Sequence, residues 1–167
     1  QFKTLEEFVA YAKENPGKVT VAGVGGTGEA NTKKLTDLLG IEISYVPVSG
    51  GVGKMMPMLQ GNHVDAGVTS SSHAVKHKAT VDTLVIAGAE PSASLPGIPN
   101  EPGWAYTTTW GIMAPPGTPD DIVAKLNDAL NKATVPVKDM VVENGLTPMR
   151  QTPAEAKAFI EEAIANN

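Results

Sequence analysis

The feature that most constrains the fold of this chain is a glycine-rich run at residues 23–28, Gly-Val-Gly-Gly-Thr-Gly. It lies between a predicted strand at residues 19–22 and a predicted helix at residues 29–39, and this order is typical of a parallel α/β sheet. Glycines let the backbone approach a ligand, while the turn N–H groups and the positive end of the helix dipole favour an anion. The run therefore predicts an anion-binding turn at the carboxyl end of a strand.

The same run fits the G-x-G-x-x-G spelling of dinucleotide-binding proteins, which also place an acidic residue about 20 residues further on to bind the ribose. Here the next predicted strand, residues 41–46, has Glu42 near its start and runs into a neutral turn that contains Ser49, Gly50 and Gly51. The acid is missing from the position that a nucleotide site needs. A nucleotide-dependent enzyme therefore remains the weakest of the alternatives.

The charge of the chain limits the kind of partner it can bind. Its 167 residues carry a formal net charge of −5, with 18 acidic and 13 basic residues, which argues against nucleic acid or an anionic membrane. Arg150 is the one arginine, so anion recognition would depend mainly on backbone N–H groups and hydroxyls, and this favours a carboxylate over a polyphosphate. The absence of cysteine excludes disulfides and thiol nucleophiles.

Local signals predict the other elements. Thr4, Thr118 and Thr152 each precede a carboxylate by three residues, the capping-box spacing of a helix start. The predicted elements are helices at residues 5–14, 73–78, 120–133 and 153–165, a helix after Gly51 that Pro57 should kink, and strands at 64–68, 83–87 and 147–150. The proline-rich residues 90–103 predict a long surface connection without elements.

Two further neutral turns are expected at the same edge of the sheet as the glycine run. They consist of Ser49, Gly50 and Gly51 after the strand at 41–46, and of Thr69 and Ser70 after the strand at 64–68. The carboxyl ends of parallel strands share one edge, where ligands collect in open α/β sheets. No G-x-S-x-G elbow or paired base accompanies these turns, so a binding site without a cofactor is predicted rather than an enzyme.

Four residues outside these turns have both a functional and a structural interpretation. His73 and His77 have the i, i+4 spacing of metal ligands, but no third ligand accompanies them, so a solvated helix face is favoured and no metal is expected. Asp65 either contacts a ligand amine or caps a strand end. Trp110 either stacks near the site or fills the connection in which it lies.

Six short motifs also occur in a familiar order along the chain, at residues 15–18 (Asn-Pro-Gly-Lys), 23–28, 46–51, 59–66, 95–99 and 114–119. In order and spacing they resemble the extracytoplasmic substrate-binding receptors of tripartite tricarboxylate transporters, the Bug family, over nearly the whole chain. The resemblance implies an α/β, periplasmic-binding-protein-like (type II) two-lobed fold. It also implies a periplasmic or extracytoplasmic protein that closes on a small mono-, di- or tricarboxylate and delivers it to membrane permease subunits.

The resemblance further implies how the chain divides. Residues 1–104 correspond to a complete lobe two, residues 105–111 to a crossover strand, and residues 112–167 to the C-terminal part of lobe one. The resemblance implies that the N-terminal segment of lobe one is missing from the chain, which begins without an initiator methionine or a signal sequence. The helices at 120–133 and 153–165 should then have an exposed apolar face or a partner that covers it.

Carried over by position, the resemblance implies that backbone N–H groups and the Thr27 hydroxyl bind one ligand carboxylate. The residues implied for the site are Gly25, Gly26, Thr27 and Gly28, then Ser49, Gly50, Gly51, Thr69 and Ser70 on the remaining wall of lobe two. Trp110, on the predicted crossover strand, is added to the site as a candidate from the sequence itself. Family members commonly have an aromatic residue and a lysine where Val48 and Ser49 stand here, so the ligand is left unspecified. The effector-binding domain of a transcriptional regulator, which shares the two-lobed architecture, is the main alternative.

Overall fold

The computed structural model describes residues 2–104 and 109–165, and the chain divides into two compact units between Thr108 and Thr109. Unit 1, residues 1–108, holds all of the strands described. Its elements are α1 (Leu5–Glu14), β1 (Thr20–Val24), α2 (Gly25–Leu39), β2 (Ser44–Val48), α3 (Val52–Gln60), β3 (Ala66–Val68), α4 (Ser71–His77), β4 (Ile86–Ala87) and β5 (Asn100–Glu101).

The main sheet of unit 1 is parallel and has the strand order β2-β1-β3. The Ser44 N–H donates to the Val19 carbonyl at 2.8 Å. Along a strand, backbone nitrogens point alternately toward one neighbouring strand and the other, so those of Tyr45 and Pro47 point away from β1. Because Pro47 has no N–H, the free edge of β2 lacks a donor there, which hinders the pairing of another strand. The predicted parallel sheet is confirmed.

The two faces of this sheet carry separate hydrophobic cores. One core lies on the side of α1 and of the C-terminal end of α2, and its buried members are Phe8, Ala12, Val19, Val21 and Ile41. The other lies on the side of α3, and its buried members are Ala22, Val48, Met55, Met56 and Val64. Successive residues of β1 contribute to opposite cores, as the two-residue period of a strand requires. Pro57 lies inside α3 without dividing it into two helices.

The region after residue 82 departs from the sequence prediction. The strand expected at 83–87 is reduced to the two residues of β4, which pairs in parallel with β5 in a separate small sheet. The proline-rich connection at residues 90–103 was predicted to have no element, and this is wrong because it contains β5. It is followed by Trp104, which is 7% exposed. The Trp104 indole Nε1–H donates to the carbonyl of Asn31 in α2 at 3.1 Å, so this connection packs against α2.

Unit 2, residues 109–167, contains α5 (Asp120–Ala133), α6 (Lys138–Glu143) and α7 (Pro153–Ala165). The bounds of α5 and α7 are those that the sequence predicts, whereas α6 was not predicted and residues 147–150 do not form a strand. Thr152 caps α7, because its hydroxyl accepts from the Glu155 N–H at 3.3 Å while its own N–H donates to the Glu155 carboxylate at 2.7 Å. Thr118 does not cap α5, since its hydroxyl donates to the Pro115 carbonyl.

No residue among 109–165 is buried. On α5 the side chains of Ile122, Leu126 and Leu130 follow a four-residue spacing and are all exposed, as are Ile160 and Ile164 on α7. The predicted exposed apolar faces are therefore present on both helices. Of the predicted crossover at 105–111, residues 105–108 lie outside the described residues and 109–111 are irregular, so the domain boundaries remain a prediction. None of the helices described has the length and apolar character that a membrane span needs.

Candidate functional site

Three turns of unit 1 lie side by side at the carboxyl edge of the main sheet. Val24 pairs with Val48, and Gly23 pairs with Val68, so β1, β2 and β3 end at nearly the same level. Neighbouring strands are about 4.8 Å apart. The turns that follow these strands lead into α2, α3 and α4, and the N-termini of those helices therefore meet at one edge.

The sequence predicted a turn over residues 23–28, followed by a helix from residue 29. In the structure α2 instead begins at Gly25, directly after β1. Gly25 has a φ of 63° and makes the turn, while Gly25, Gly26 and Thr27 are exposed. The first N–H groups of a helix have no acceptor within the helix. These residues thus present free backbone donors at the sheet edge, as the anion-binding prediction requires, although they do so from the first turn of a helix.

Gly28 is buried, and its role is packing of the helix on the strand. A Cβ at Gly28 would lie 2.9 Å from the carbonyl carbon of Gly23, and a Cβ at Gly23 would lie 2.7 Å from the Tyr45 hydroxyl. The absence of both side chains is what lets α2 start immediately at the end of β1. Beneath this contact the Tyr45 hydroxyl is buried without a hydrogen-bond partner. Burial, and secondarily the charge of Glu29, raises the pKa of Tyr45.

Asn31 stabilises the first turn of α2 from the buried side of the helix. Its side chain is nearly fully buried, and its Nδ2 donates to the carbonyl of Thr27 at 2.9 Å. At the next residue, the Thr32 hydroxyl donates to the Gly28 carbonyl at 2.7 Å. Since Trp104 also donates to Asn31, the exposed first turn of α2 is held on its buried side by side-chain hydrogen bonds.

The second turn, between β2 and α3, consists of Ser49, Gly50 and Gly51. Ser49 and Gly50 are exposed, and the φ angles of Gly50 and Gly51 are 97° and 81°, in the region that favours glycine. Lys54, in the first turn of α3, folds back over the turn between β2 and α3, so that its Nζ lies 3.1 Å from the position of a Cβ on Gly50. Lys54 was not predicted as a site residue, because nothing in its spacing indicates the direction of so flexible a side chain.

The third turn contains Thr69 and Ser70, which are both exposed. The Ser70 hydroxyl is 2.8 Å from the Ser72 hydroxyl and 2.8 Å from the Nδ1 of His73. Burial, followed by the nearby charges of His77 and Lys76, lowers the pKa of His73. Ser70 thus bonds within its own helix, whereas the Thr69 hydroxyl makes no hydrogen bond among the residues described.

The remaining sequence candidates lie elsewhere. Asp65 is at the amino end of β3, where its carboxylate accepts from the N–H and the hydroxyl of Thr20 at 2.8 and 2.7 Å. It therefore fastens two strands at the edge opposite the three turns. Trp110 belongs to unit 2 and is 87% exposed. No group of three potential metal ligands occurs among the residues described, and His73 and His77 stay a pair.

Charge distinguishes the helices at this edge from the others. The first turns of α2, α3 and α4 contain no acidic residue. The other described helices each begin with at least one carboxylate, on Glu6 and Glu7 in α1, Asp120 and Asp121 in α5, Asp139 in α6 and Glu155 in α7. Carboxylates in the first turn offset the positive end of a helix dipole. The helices at the sheet edge leave that positive end uncompensated.

Comparison with known proteins identifies the family. Residues 1–167 match the family of tripartite tricarboxylate transporter receptors. The chain belongs to this receptor family. The resemblance inferred from the six sequence motifs is thereby confirmed.

Relatives of this chain occur in several bacteria. A protein in the gbd 5′ region of Cupriavidus necator is 32% identical over 137 residues, which are 78% of this chain and 42% of that protein. Protein BugT of Bordetella pertussis is 26% identical over 172 residues, 96% of this chain and 52% of BugT. The chain thus spans about half the length of these relatives. A solved structure described as a periplasmic transporter has a TM-score of 0.87 at 24% identity, over 96% of this chain and 57% of that one. The receptor-family fold predicted from the sequence is confirmed by this similarity.

Proposed function

We propose that this chain is part of an extracytoplasmic solute receptor that binds a small carboxylate at the edge formed by the three turns of unit 1. The observation that carries the proposal is the absence of acidic residues from the first turns of α2, α3 and α4. A ligand carboxylate would supply the negative charge that these helix ends lack and would accept hydrogen bonds from the free N–H groups of Gly25, Gly26 and Thr27. Membership of the receptor family supports the same reading.

The proposed site is one of binding and not of catalysis. Its groups are backbone donors, small hydroxyls, one lysine and the Ser70–His73 pair, whose imidazole has no carboxylate partner to orient it among the residues described. In a receptor, binding energy would favour a closed arrangement of two lobes over an open one, and the membrane permease subunits would recognise the closed form. We also propose that the protein lies outside the cytoplasm, which is the location implied by the receptor family.

The division into lobes is also proposed. Residues 1–104 would form lobe two, 105–111 the crossover, and 112–167 a part of lobe one. The exposed apolar side chains of α5 and α7 would then be covered by other segments of a longer protein, since the relatives are about twice as long as this chain. Hydrogen exchange tests this proposal: the amides of α5 and α7 should exchange far more slowly in the longer protein than in residues 1–167. Equal exchange would contradict it.

A binding screen on the full-length protein tests the carboxylate assignment. We expect succinate, glutarate or citrate to raise the melting temperature, whereas inorganic phosphate, neutral sugars and NAD should leave it unchanged. A ligand at 100 times its Kd stabilises the folded state by about 2.7 kcal/mol. Stabilisation by a sugar or by NAD, with none by any carboxylate, would show that the assignment is wrong.

A matched pair of variants locates the site. Thr27→Val removes a hydroxyl at the first turn of α2 and should weaken binding by about ten-fold, because a hydrogen bond to a charged group contributes about 1.5–3 kcal/mol. Thr36→Val makes the same change two turns further along α2, where the hydroxyl bonds to the Lys33 carbonyl. It should leave the Kd unchanged, and an equal loss in both variants would place the ligand elsewhere.

A further inference from the structure

Lys54 is exposed, and its side chain folds toward the turn that precedes its own helix. A Cβ at Gly50 would lie 2.8 Å from both Cδ and Cε of Lys54 and 3.1 Å from its Nζ. The ammonium group therefore lies against the backbone of the turn between β2 and α3, at the edge where β1 and β2 both end. Lysine side chains on a helix surface are long and flexible and commonly extend their charge into water.

This position concentrates positive charge. Lys54 is in the first turn of α3, which has no acidic residue, and its ammonium folds toward the positive end of its own helix. Lys33, Lys125, Lys132 and Lys157 each pair with an acid four residues away in the same helix, and Lys3 pairs with Asp82. Lys54 is one of several lysines outside these pairs. Among residues 2–104 and 109–165, no carboxylate pairs with Lys54. An anion at this turn would relieve the repulsion between the ammonium and the helix end.

The turn has the shape that this arrangement needs. Gly50 and Gly51 both adopt positive φ angles, so the chain reverses sharply before α3. The absence of a side chain at Gly50 leaves the space that the Lys54 methylenes occupy. Gly50 thus serves two purposes, since its backbone makes the turn and its missing Cβ admits the lysine.

We propose that Lys54 determines specificity in the carboxylate site by pairing with a second acidic group of the ligand. This inference rests on the proposed function, in which the first carboxylate binds at Gly25, Gly26 and Thr27. The turns after β1 and β2 are separated by about one strand spacing, 4.8 Å. A short dicarboxylate places its two acidic groups at a comparable separation, with one at the N-terminus of α2 and the other beside the Lys54 ammonium.

Paired ligands and paired variants test the inference in the full-length protein. The ligands are glutarate, which has two carboxylates, and butyrate, which has one. Lys54→Met keeps an apolar stem over Gly50 and removes the charge. Lys18→Met is the control, because it removes the same charge just before β1, at the opposite edge of the sheet. Calorimetric titration at low and high salt gives the Kd of each ligand for each protein.

We expect Lys54→Met to weaken glutarate binding by about ten-fold or more and to reduce its salt dependence, while butyrate binding changes by less than about two-fold. Lys18→Met should bind both ligands as the unmodified protein does. Gly50→Ala should also weaken glutarate selectively, because it displaces the lysine. If Lys54→Met and Lys18→Met bind glutarate equally well, the role of Lys54 is refuted while the carboxylate site stands. If the unmodified protein binds neither acid nor any other carboxylate, both proposals fail together.

Discussion

Units 1 and 2 are both built from amphipathic elements, but among the described residues only those of unit 1 form buried hydrophobic cores. In unit 1 a parallel sheet separates two clusters of buried side chains, and Met55 is fully inaccessible to solvent. In unit 2 no described residue is buried, and apolar side chains of α5 and α7 face solvent. A helix that presents one apolar face needs a second layer to cover it. The contrast shows that correct local structure, which unit 2 has, does not by itself make a core.

Substitution of one methionine in each unit gives the largest expected contrast. Met55→Ala should lower the free energy of unfolding by about 2–5 kcal/mol, because it leaves a cavity between α3 and β1. Met113→Ala, at a side chain that is 83% exposed in unit 2, should change it by less than about 0.5 kcal/mol. Urea denaturation followed by circular dichroism measures both. Similar losses would mean that Met113 is covered in solution, and the contrast between the units would disappear.

A pair of glycines sharpens the comparison within unit 1. Gly28→Ala should cost about 1–3 kcal/mol, since the new methyl group meets the backbone of Gly23, which cannot move aside. Gly26→Ala, two residues earlier, meets no atom within 4 Å. It should be neutral or stabilise the protein by up to about 1 kcal/mol, because alanine favours a helix. The same unfolding measurement applies, and a tolerated Gly28→Ala would refute the close contact of α2 with β1.

Helix capping offers a smaller test within unit 2. Thr152→Val removes the cap of α7 and should destabilise that helix by about 1 kcal/mol. Thr118→Val should have less effect, because the Thr118 hydroxyl bonds to Pro115 and not to the first turn of α5. Helix content on heating, measured by circular dichroism, distinguishes the two variants. A larger loss from Thr118→Val would contradict the assignment of the caps.

The smallest expected effect is a dependence of the stability of α7, in unit 2, on pH. Bonds from the Thr152 N–H and hydroxyl lower the pKa of Glu155 from its ordinary value of 4.5. Below pH 4.5 the unfolded chain therefore takes up a proton before the folded one does, so the stabilisation is present above that pH and is lost as the pH falls through the lowered pKa. Circular dichroism between pH 6 and 3 should show a shallower loss of helix in Thr152→Val than in the unmodified chain. Identical pH profiles would refute the link.

How far the sequence predicts each element depends on how local its determinants are. The bounds of α1 and α7 follow from caps and spacing within a few residues, and those of α5 follow from the spacing of its residues after Pro119. All three were predicted closely. The short strands β4 and β5 depend on pairing with each other across the proline-rich connection, so β4 was predicted too long and β5 was missed. Local patterns cannot reveal such pairing, because neither segment has the length of an ordinary strand.

The candidate site follows the same rule. The convergence of the three turns was predictable, because the ends of parallel strands must share an edge. The start of α2 at Gly25 was not, since it depends on the contact between Gly23 and Gly28, which glycine content alone does not distinguish from a loop. The direction of Lys54 was equally hidden, as a lysine side chain has many rotamers and its choice depends on the space above Gly50.

The placement of the two tryptophans gives the chain a built-in optical contrast. Trp104, sealed against α2 in unit 1, should emit at short wavelength and resist quenching by acrylamide, whereas Trp110, at the start of unit 2, should emit at long wavelength and be quenched readily. The sequence has no other tryptophan. One fluorescence spectrum, recorded with and without quencher, therefore reports on each unit separately and needs no added label.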